Sequence, residues 1–251
     1  MDPIAFHLGP LAVRWYGLLM ALALALGTWL AYKEAGRQGL DQEEILNLII
    51  LVAPLAWLGA RIYYVIFQWG YYRQHLAEIP AVWQGGLAFH GGILAGLLVG
   101  FLFVRQRKLN FWQIADVMAP SIILGQAIGR WGNFFNREAY GYPTSLPWAM
   151  YIDGAYRHPT FLYESLWDLG VFLFLLWYRR RPRTLRGEIF LFYLVLYSAG
   201  RFWVEGLRTD SLMLGPLRAA QVVSILLASA ALVLIWRRRA KEKSKANDRT
   251  R

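Results

Sequence analysis

The feature that most constrains this chain is a series of long apolar runs. They fall at residues 12–32, 45–68, 87–104, 112–129, 160–178, 188–207 and 216–236, and fill most of the 251-residue sequence. An α-helix needs about 20 apolar residues to cross the hydrocarbon layer of a bilayer. No water is available there to satisfy backbone N–H and C=O groups, so each run must close its own hydrogen bonds as a helix. The pattern predicts an all-α polytopic membrane protein with seven transmembrane helices, forming one domain over residues 1–239. Composition agrees: 57% of residues are hydrophobic, where a soluble domain holds roughly 45–50%.

The charge pattern orients these helices. The net charge of +11 resides in two stretches. Residues 179–187 hold Arg179, Arg180, Arg181, Arg183 and Arg186, and residues 237–251 hold eight basic side chains against two acids. Both abut apolar runs, which marks them as positive-inside flanks facing anionic lipid and argues against a nucleic-acid partner. Placing the loops after the first, third and fifth helices in the cytoplasm, together with the tail, puts 18 of the 27 Lys and Arg residues there. Six remain outside: Arg73, Arg130, Arg137, Arg157, Arg208 and Arg218. The N-terminus is thus expected outside the cytoplasm and the C-terminus inside. The longest outer segment, about 130–159, contains Pro143, Pro147 and Gly154 and reads as an irregular extracytoplasmic loop. Residues 240–251 read as a disordered basic cytoplasmic tail. Residues 1–12 lack the basic start of a cleavable signal peptide.

There are no cysteines, which excludes disulfides, thiolate metal sites and a Cys nucleophile carried by this chain. His7, His75, His90 and His158 have no mutual ligand spacing and the acids are dispersed, so neither a metal site nor a cofactor is implied.

Ionisable groups inside a membrane each cost a few kcal/mol or more, and so point to function. Tyr197, Arg201, Glu205 and Arg208 are spaced 4, 4 and 3 apart, which places them on one face of the sixth predicted helix. Arg61, Tyr64 and Gln68 share a face of the second, and Thr160, Glu164 and Asp168 a face of the fifth. Each set has a structural reading, as an ion pair that tightens packing or a satisfied core acid. The four polar groups on the sixth helix favour a lined cavity. His90 lies in Phe89-His90-Gly91-Gly92, where glycines permit close backbone approach, and a neutral imidazole there could accept a proton. The densest stretch is Gly129-Arg130-Trp131-Gly132-Asn133-Phe134-Phe135-Asn136-Arg137-Glu138-Ala139-Tyr140-Gly141. Arginines and asparagines converging at the end of a helix suit an anion, because the guanidinium binds phosphate as a planar fork. The residues alone thus indicate a membrane-embedded, outward-facing site for an anionic lipid headgroup. A transporter or flippase for an anionic lipid is the competing reading; it often shows paired repeats and interrupted helices, and no such pairing is visible here.

The Gly129–Gly141 run resembles the signature of the bacterial prolipoprotein diacylglyceryl transferases, G-R-x-G-N-F-x-N-x-E-x-x-G, at every fixed position. Further family-like pieces follow in order over residues 10–230: Arg14-Trp15-Tyr16-Gly17, Gly59-Ala60-Arg61 with Tyr64, Phe89-His90-Gly91-Gly92, Arg157-His158-Pro159-Thr160 through Tyr163-Glu164, and Tyr197 to Arg208. One departure is Gly215-Pro216-Leu217-Arg218-Ala219-Ala220-Gln221, where the family more often shows a glycine and small-residue pattern. The resemblance implies an inner-membrane, multi-pass enzyme that moves the diacylglyceryl group of phosphatidylglycerol to the lipobox cysteine thiol of a preprolipoprotein. A thioether forms and glycerol 1-phosphate leaves, the first step of lipoprotein maturation. It implies Arg130 and Arg201 as a phosphate clamp and His90 as general base, unless the arginines alone lower the thiol pKa. Tyr16, Asn133 and Asn136 would bind or orient the lipid; Glu138, Glu164 and Glu205 would hold arginines in place. Arg61, Tyr64, Gly141, Tyr197 and Arg208 complete the expected binding set.

Overall fold

A computed structural model describes residues 3–9, 11–152, 154–209 and 211–249. The chain is mostly helical. A hairpin of β1 (Ile4–Leu8) and β2 (Leu11–Arg14) leads into α1 (Trp15–Arg37). Next come α2 (Gln42–Phe67), whose first turn is capped by the Asp41 carboxylate accepting from Glu43 N at 2.9 Å, and the short α3 (Trp69–Tyr72). A loop with two 3-10 turns leads to α4 (Phe89–Gln106) and α5 (Phe111–Asn136). The hairpin of β3 (Met150–Ile152) and β4 (Ala155–Arg157) precedes α6 (Thr160–Tyr178) and α7 (Glu188–Glu205). A last hairpin, β5 (Met213–Leu214) with β6 (Leu217–Arg218), enters α8 (Ala219–Arg249).

Among the described residues, six helices are long and apolar enough to cross a membrane: α1, α2, α4, α5, α6 and α8. The apolar run at 188–207 forms α7, but its 18 residues carry Glu188, Arg201 and Glu205, so length and composition support six crossings where seven were expected. Two further differences concern boundaries. The expected loop at 130–159 begins later, because α5 stays helical to Asn136. Phe134 packs on Phe161 with ring centroids 4.8 Å apart and Phe135 stacks on Trp15 at 4.9 Å. This aromatic face holds the helix until Arg137 takes a positive φ of 54°. The three hairpins were not foreseen, since strands of two to five residues leave little periodicity to read. α8 runs helically to Arg249 through the basic tail, whose residues 250 and 251 lie outside the described ones.

The chain divides into two compact units, Met1–Ala31 with Ala115–Arg251, and Tyr32–Ile114. In the second, α2 packs on α4 at close quarters. A Cβ at Gly91 would meet the Tyr63 side chain and the Gly59 carbonyl, so the glycine after His90 is a packing residue.

In the first unit, Ala119 and Ile123 of α5, Val171, Leu175 and Tyr178 of α6, and Ile189 and Tyr193 of α7 form the apolar core. One end of this unit is closed by polar clamps. The buried Asp116 carboxylate accepts from Gly187 N at 2.5 Å and Phe190 N at 2.9 Å, satisfying two of the N–H groups that the start of a helix leaves open. Arg239 of α8 donates to Glu188 at 2.5 Å and to the Tyr178 hydroxyl at 2.6 Å. The other end carries the candidate site.

Candidate active site

The site is organised around one carboxylate. Glu164 lies on the first turns of α6 with only 6% of its side chain exposed. One oxygen pairs with Arg130 of α5. The other accepts from Arg201 of α7 at 3.0 Å and lies 3.7 Å from Arg208. Arg201 spans two acids, because its second terminal nitrogen reaches Glu205 at 2.7 Å, and Glu205 in turn lies 4.0 Å from Arg208. The i, i+4 and i, i+3 spacings put Arg201, Glu205 and Arg208 on one stripe of α7, and that stripe faces Glu164. Three guanidinium groups thus share two buried carboxylates. Arg130 and Arg201 keep 19% and 20% of their side chains exposed, so an anion can reach N–H groups the acids leave open. Tyr197, one turn before Arg201, stacks on Tyr193 at 5.9 Å.

Thr160 and Asp168 are buried on the same face of α6 as Glu164. The Thr160 hydroxyl donates to the Ala139 carbonyl, and Asp168 Oδ2 has no hydrogen-bond partner among the described residues. The spacing placed both residues on this face without showing what Thr160 holds.

The signature stretch shapes the rim. Asn133 and Asn136 both donate to Glu138, at 3.0 and 3.2 Å, and Glu138 N returns to the Asn133 carbonyl at 3.0 Å. Glu138 therefore holds the two asparagines and makes no ion pair with an arginine among the described residues, which differs from the role the resemblance implied. Positive φ at Arg137 and Ala139 turns the chain sharply after α5. Gly141 then passes between two elements: its N–H donates to His158 O at 3.0 Å, and it bridges to Arg208. A Cβ here would come within 2.7 Å of His158 Cβ and 2.9 Å of the Leu207 carbonyl. Gly141→Ala is expected to lower stability by about 1–3 kcal/mol. It should also cut turnover on the order of 100-fold, because it shifts Arg208 and the α6 start apart. Thermal unfolding in detergent and a rate assay on the same preparation test this; wild-type values for both would refute it.

Tyr16 on the first turn of α1 lies against Gly132, leaving no room for a side chain there. Trp131 donates to the Ser165 hydroxyl at 3.1 Å, which donates to the Ala127 carbonyl at 2.9 Å, locking α5 to α6 below the arginines.

The other predicted residues belong to the second unit. Arg61 is 4% exposed and donates only to main-chain carbonyls: Ile79 at 2.8 Å, Glu78 at 2.7 Å, Gly85 at 2.9 Å and Gly86 at 3.0 Å. It ties down the loop between α3 and α4. Four of its five N–H groups are committed to this staple. Tyr64 lines the same loop beside Gly86. His90 is exposed on the first turn of α4, with the Tyr63 and Phe89 rings 6.5 and 6.2 Å away.

The chain as a whole is similar to a known group of proteins. The family described as prolipoprotein diacylglyceryl transferase matches residues 3–237. A Geobacillus kaustophilus protein named phosphatidylglycerol–prolipoprotein diacylglyceryl transferase is 54% identical over 259 residues, covering 98% of this chain and 96% of its own length. Proteins of the same name from Thermosynechococcus vestitus and Bacillus licheniformis are 54% and 51% identical, over 87% and 96% of this chain and 86% and 94% of theirs. A family match across nearly the whole length, and identities above 50%, establish that this chain belongs to the prolipoprotein diacylglyceryl transferase family.

Proposed function

We propose that this chain transfers the diacylglyceryl group of phosphatidylglycerol to the lipobox cysteine of a preprolipoprotein in the bacterial inner membrane. The single observation that carries this reading is the arginine cluster around Glu164, an anion site set among helices apolar enough to cross a membrane. The thiol sulfur attacks the glyceryl carbon, a C–S bond forms, and the C–O bond to phosphate breaks. Glycerol 1-phosphate departs with the bonding pair. Charge grows on the phosphate oxygens during this step, and fixed cations in a water-poor site stabilise it. Arg130 and Arg201 perform that task, held in place by Glu164 and Glu205. Asn133, Asn136 and Tyr16 form the rim that receives the headgroup, with Glu138 fixing the amides. Tyr197 and Arg208 complete the wall, and Gly141 keeps it closed.

The nucleophile is the thiolate, and the absence of cysteine from this chain fits a nucleophile brought by the protein substrate. His90 takes the thiol proton; in the alternative route the arginine field alone favours the thiolate. Arg61 and Tyr64 hold the loop that precedes His90. The transferase orients with its N-terminus and the 130–159 segment outside the cytoplasm, its C-terminus inside, and α7 as a seventh span whose charges face protein. The Lys/Arg distribution supports that orientation.

The decisive test mixes the purified protein with phosphatidylglycerol and a lipobox peptide and weighs the peptide. A diacylglyceryl mass gain on cysteine, lost in Arg130→Ala, is the expected result. A folded protein that yields no gain, with active lipid and peptide controls, would overturn the reading and favour lipid transport.

A further inference from the structure

The end of the first unit that bears the Asp116 and Arg239 clamps gathers two strongly basic stretches of the chain. Residues 180–186 and 237–243 are far apart in sequence, yet the structure joins them. Arg239 reaches Glu188 and Tyr178, and Arg238 donates to the Arg186 carbonyl at 2.5 Å. The two buried acids of this end, Asp116 and Glu188, are consumed in doing so. Asp116 is occupied by the backbone of α7, and Glu188 by Arg239, and both are buried. Arg180, Arg181, Arg183, Arg186 and Arg237 are left exposed, without an ion-pair partner among the described residues.

Two indoles flank them. Trp177 and Trp236 are 55% and 70% exposed at the ends of α6 and α8, and the Arg181 guanidinium lies 3.9 Å from the Trp177 ring centroid. Exposed indoles at the ends of apolar helices settle at the headgroup level of a bilayer. The surface therefore presents cations at the depth of lipid phosphates, above the exposed apolar flank of α8 that includes Leu226 and Val233. Asp116 and Arg130 lie at opposite ends of α5, separated by about 21 Å of helix rise.

We propose that this composite surface is a second binding site for anionic phospholipid headgroups, separate from the transferase site. Sequestering Asp116 and Glu188 in the clamps leaves Glu242 as the exposed acid among the basic side chains of residues 180–186 and 237–243, so cations dominate the surface. Its ligand is a phosphate-bearing lipid held by Arg180, Arg181, Arg183 and Arg237, with acyl chains along α6 and α8.

The test is lipid retention by native mass spectrometry, on wild type, on the combined variant Arg180→Gln, Arg181→Gln, Arg183→Gln and Arg237→Gln, and on Arg130→Ala, with phosphatidylglycerol and phosphatidylcholine as probes. The combined variant is expected to hold at least one fewer phosphatidylglycerol, with binding weakened about fivefold for each arginine removed. Its phosphatidylcholine retention and its turnover at saturating lipid should match wild type, and Arg130→Ala should keep the lipid that the combined variant loses. Unchanged phosphatidylglycerol retention in the combined variant would overturn the proposal. So would a parallel loss of both lipids, or loss of the same phosphatidylglycerol in Arg130→Ala.

Discussion

Glu164→Gln is expected to abolish detectable turnover and to lower stability by about 3–5 kcal/mol, the cost of leaving buried charges without their partner. Glutamine keeps the shape of the side chain, so the effect isolates charge. The amide offers one oxygen where the carboxylate offered two, and its NH2 group points a donor at arginines that need acceptors. Arg130 has its ion pair through Glu164, and Arg201 and Arg208 share the other oxygen. Arg130 loses its ion pair outright, and Arg201 and Arg208 are left with Glu205 alone. Glu205→Gln should be milder, because Glu205 pairs with Arg201 and Arg208 but not with Arg130. Thermal unfolding and thioether formation, measured for both variants, give the comparison. Equal effects of the two substitutions, or a Glu164→Gln protein with wild-type turnover, would remove Glu164 from the centre of the site.

Arg201→Lys is the second large effect: turnover is expected to fall on the order of 100- to 1000-fold, with stability changed far less than in Glu164→Gln. Arg201 bonds Glu164 through one terminal nitrogen at 3.0 Å and Glu205 through the other at 2.7 Å. A lysine ammonium is a single point charge and cannot hold both acids while presenting a planar pair of donors to a phosphate. On the clamp reading the loss lies in kcat, since the interaction strengthens as phosphate charge develops. A lysine variant that raises KM alone would assign Arg201 to ground-state lipid binding, and near-normal kcat/KM would dismiss the clamp.

The stripe of α7 was legible in the sequence because helical spacing alone puts Arg201, Glu205 and Arg208 on one face. The same spacing grouped Thr160, Glu164 and Asp168. What spacing could not supply was the partner across helices, so the sharing of Glu164 by three arginines emerges only in three dimensions. The extent of α5 was misjudged because glycine, asparagine and arginine read as loop formers, while the aromatic contacts of Phe134 and Phe135 keep the chain helical. Arg61 was legible as a buried cation and not as a staple, since its acceptors are main-chain carbonyls that carry no sequence signature. Glu138 and its two asparagines stood in the signature without disclosing that they bond each other.

That choice of acceptors at Arg61 has an evolutionary consequence. Every residue owns a carbonyl, so the loop from Glu78 to Gly86 is fastened without depending on most of its own side chains. The positive φ values at Gly85 and Gly86 are the exception, and they restrict those two positions to glycine. Elsewhere in the loop substitutions can accumulate while one distant arginine preserves the path of the backbone. The segment is thereby free to drift in chemistry and to be retuned for new neighbours, with its fixed point stored in α2.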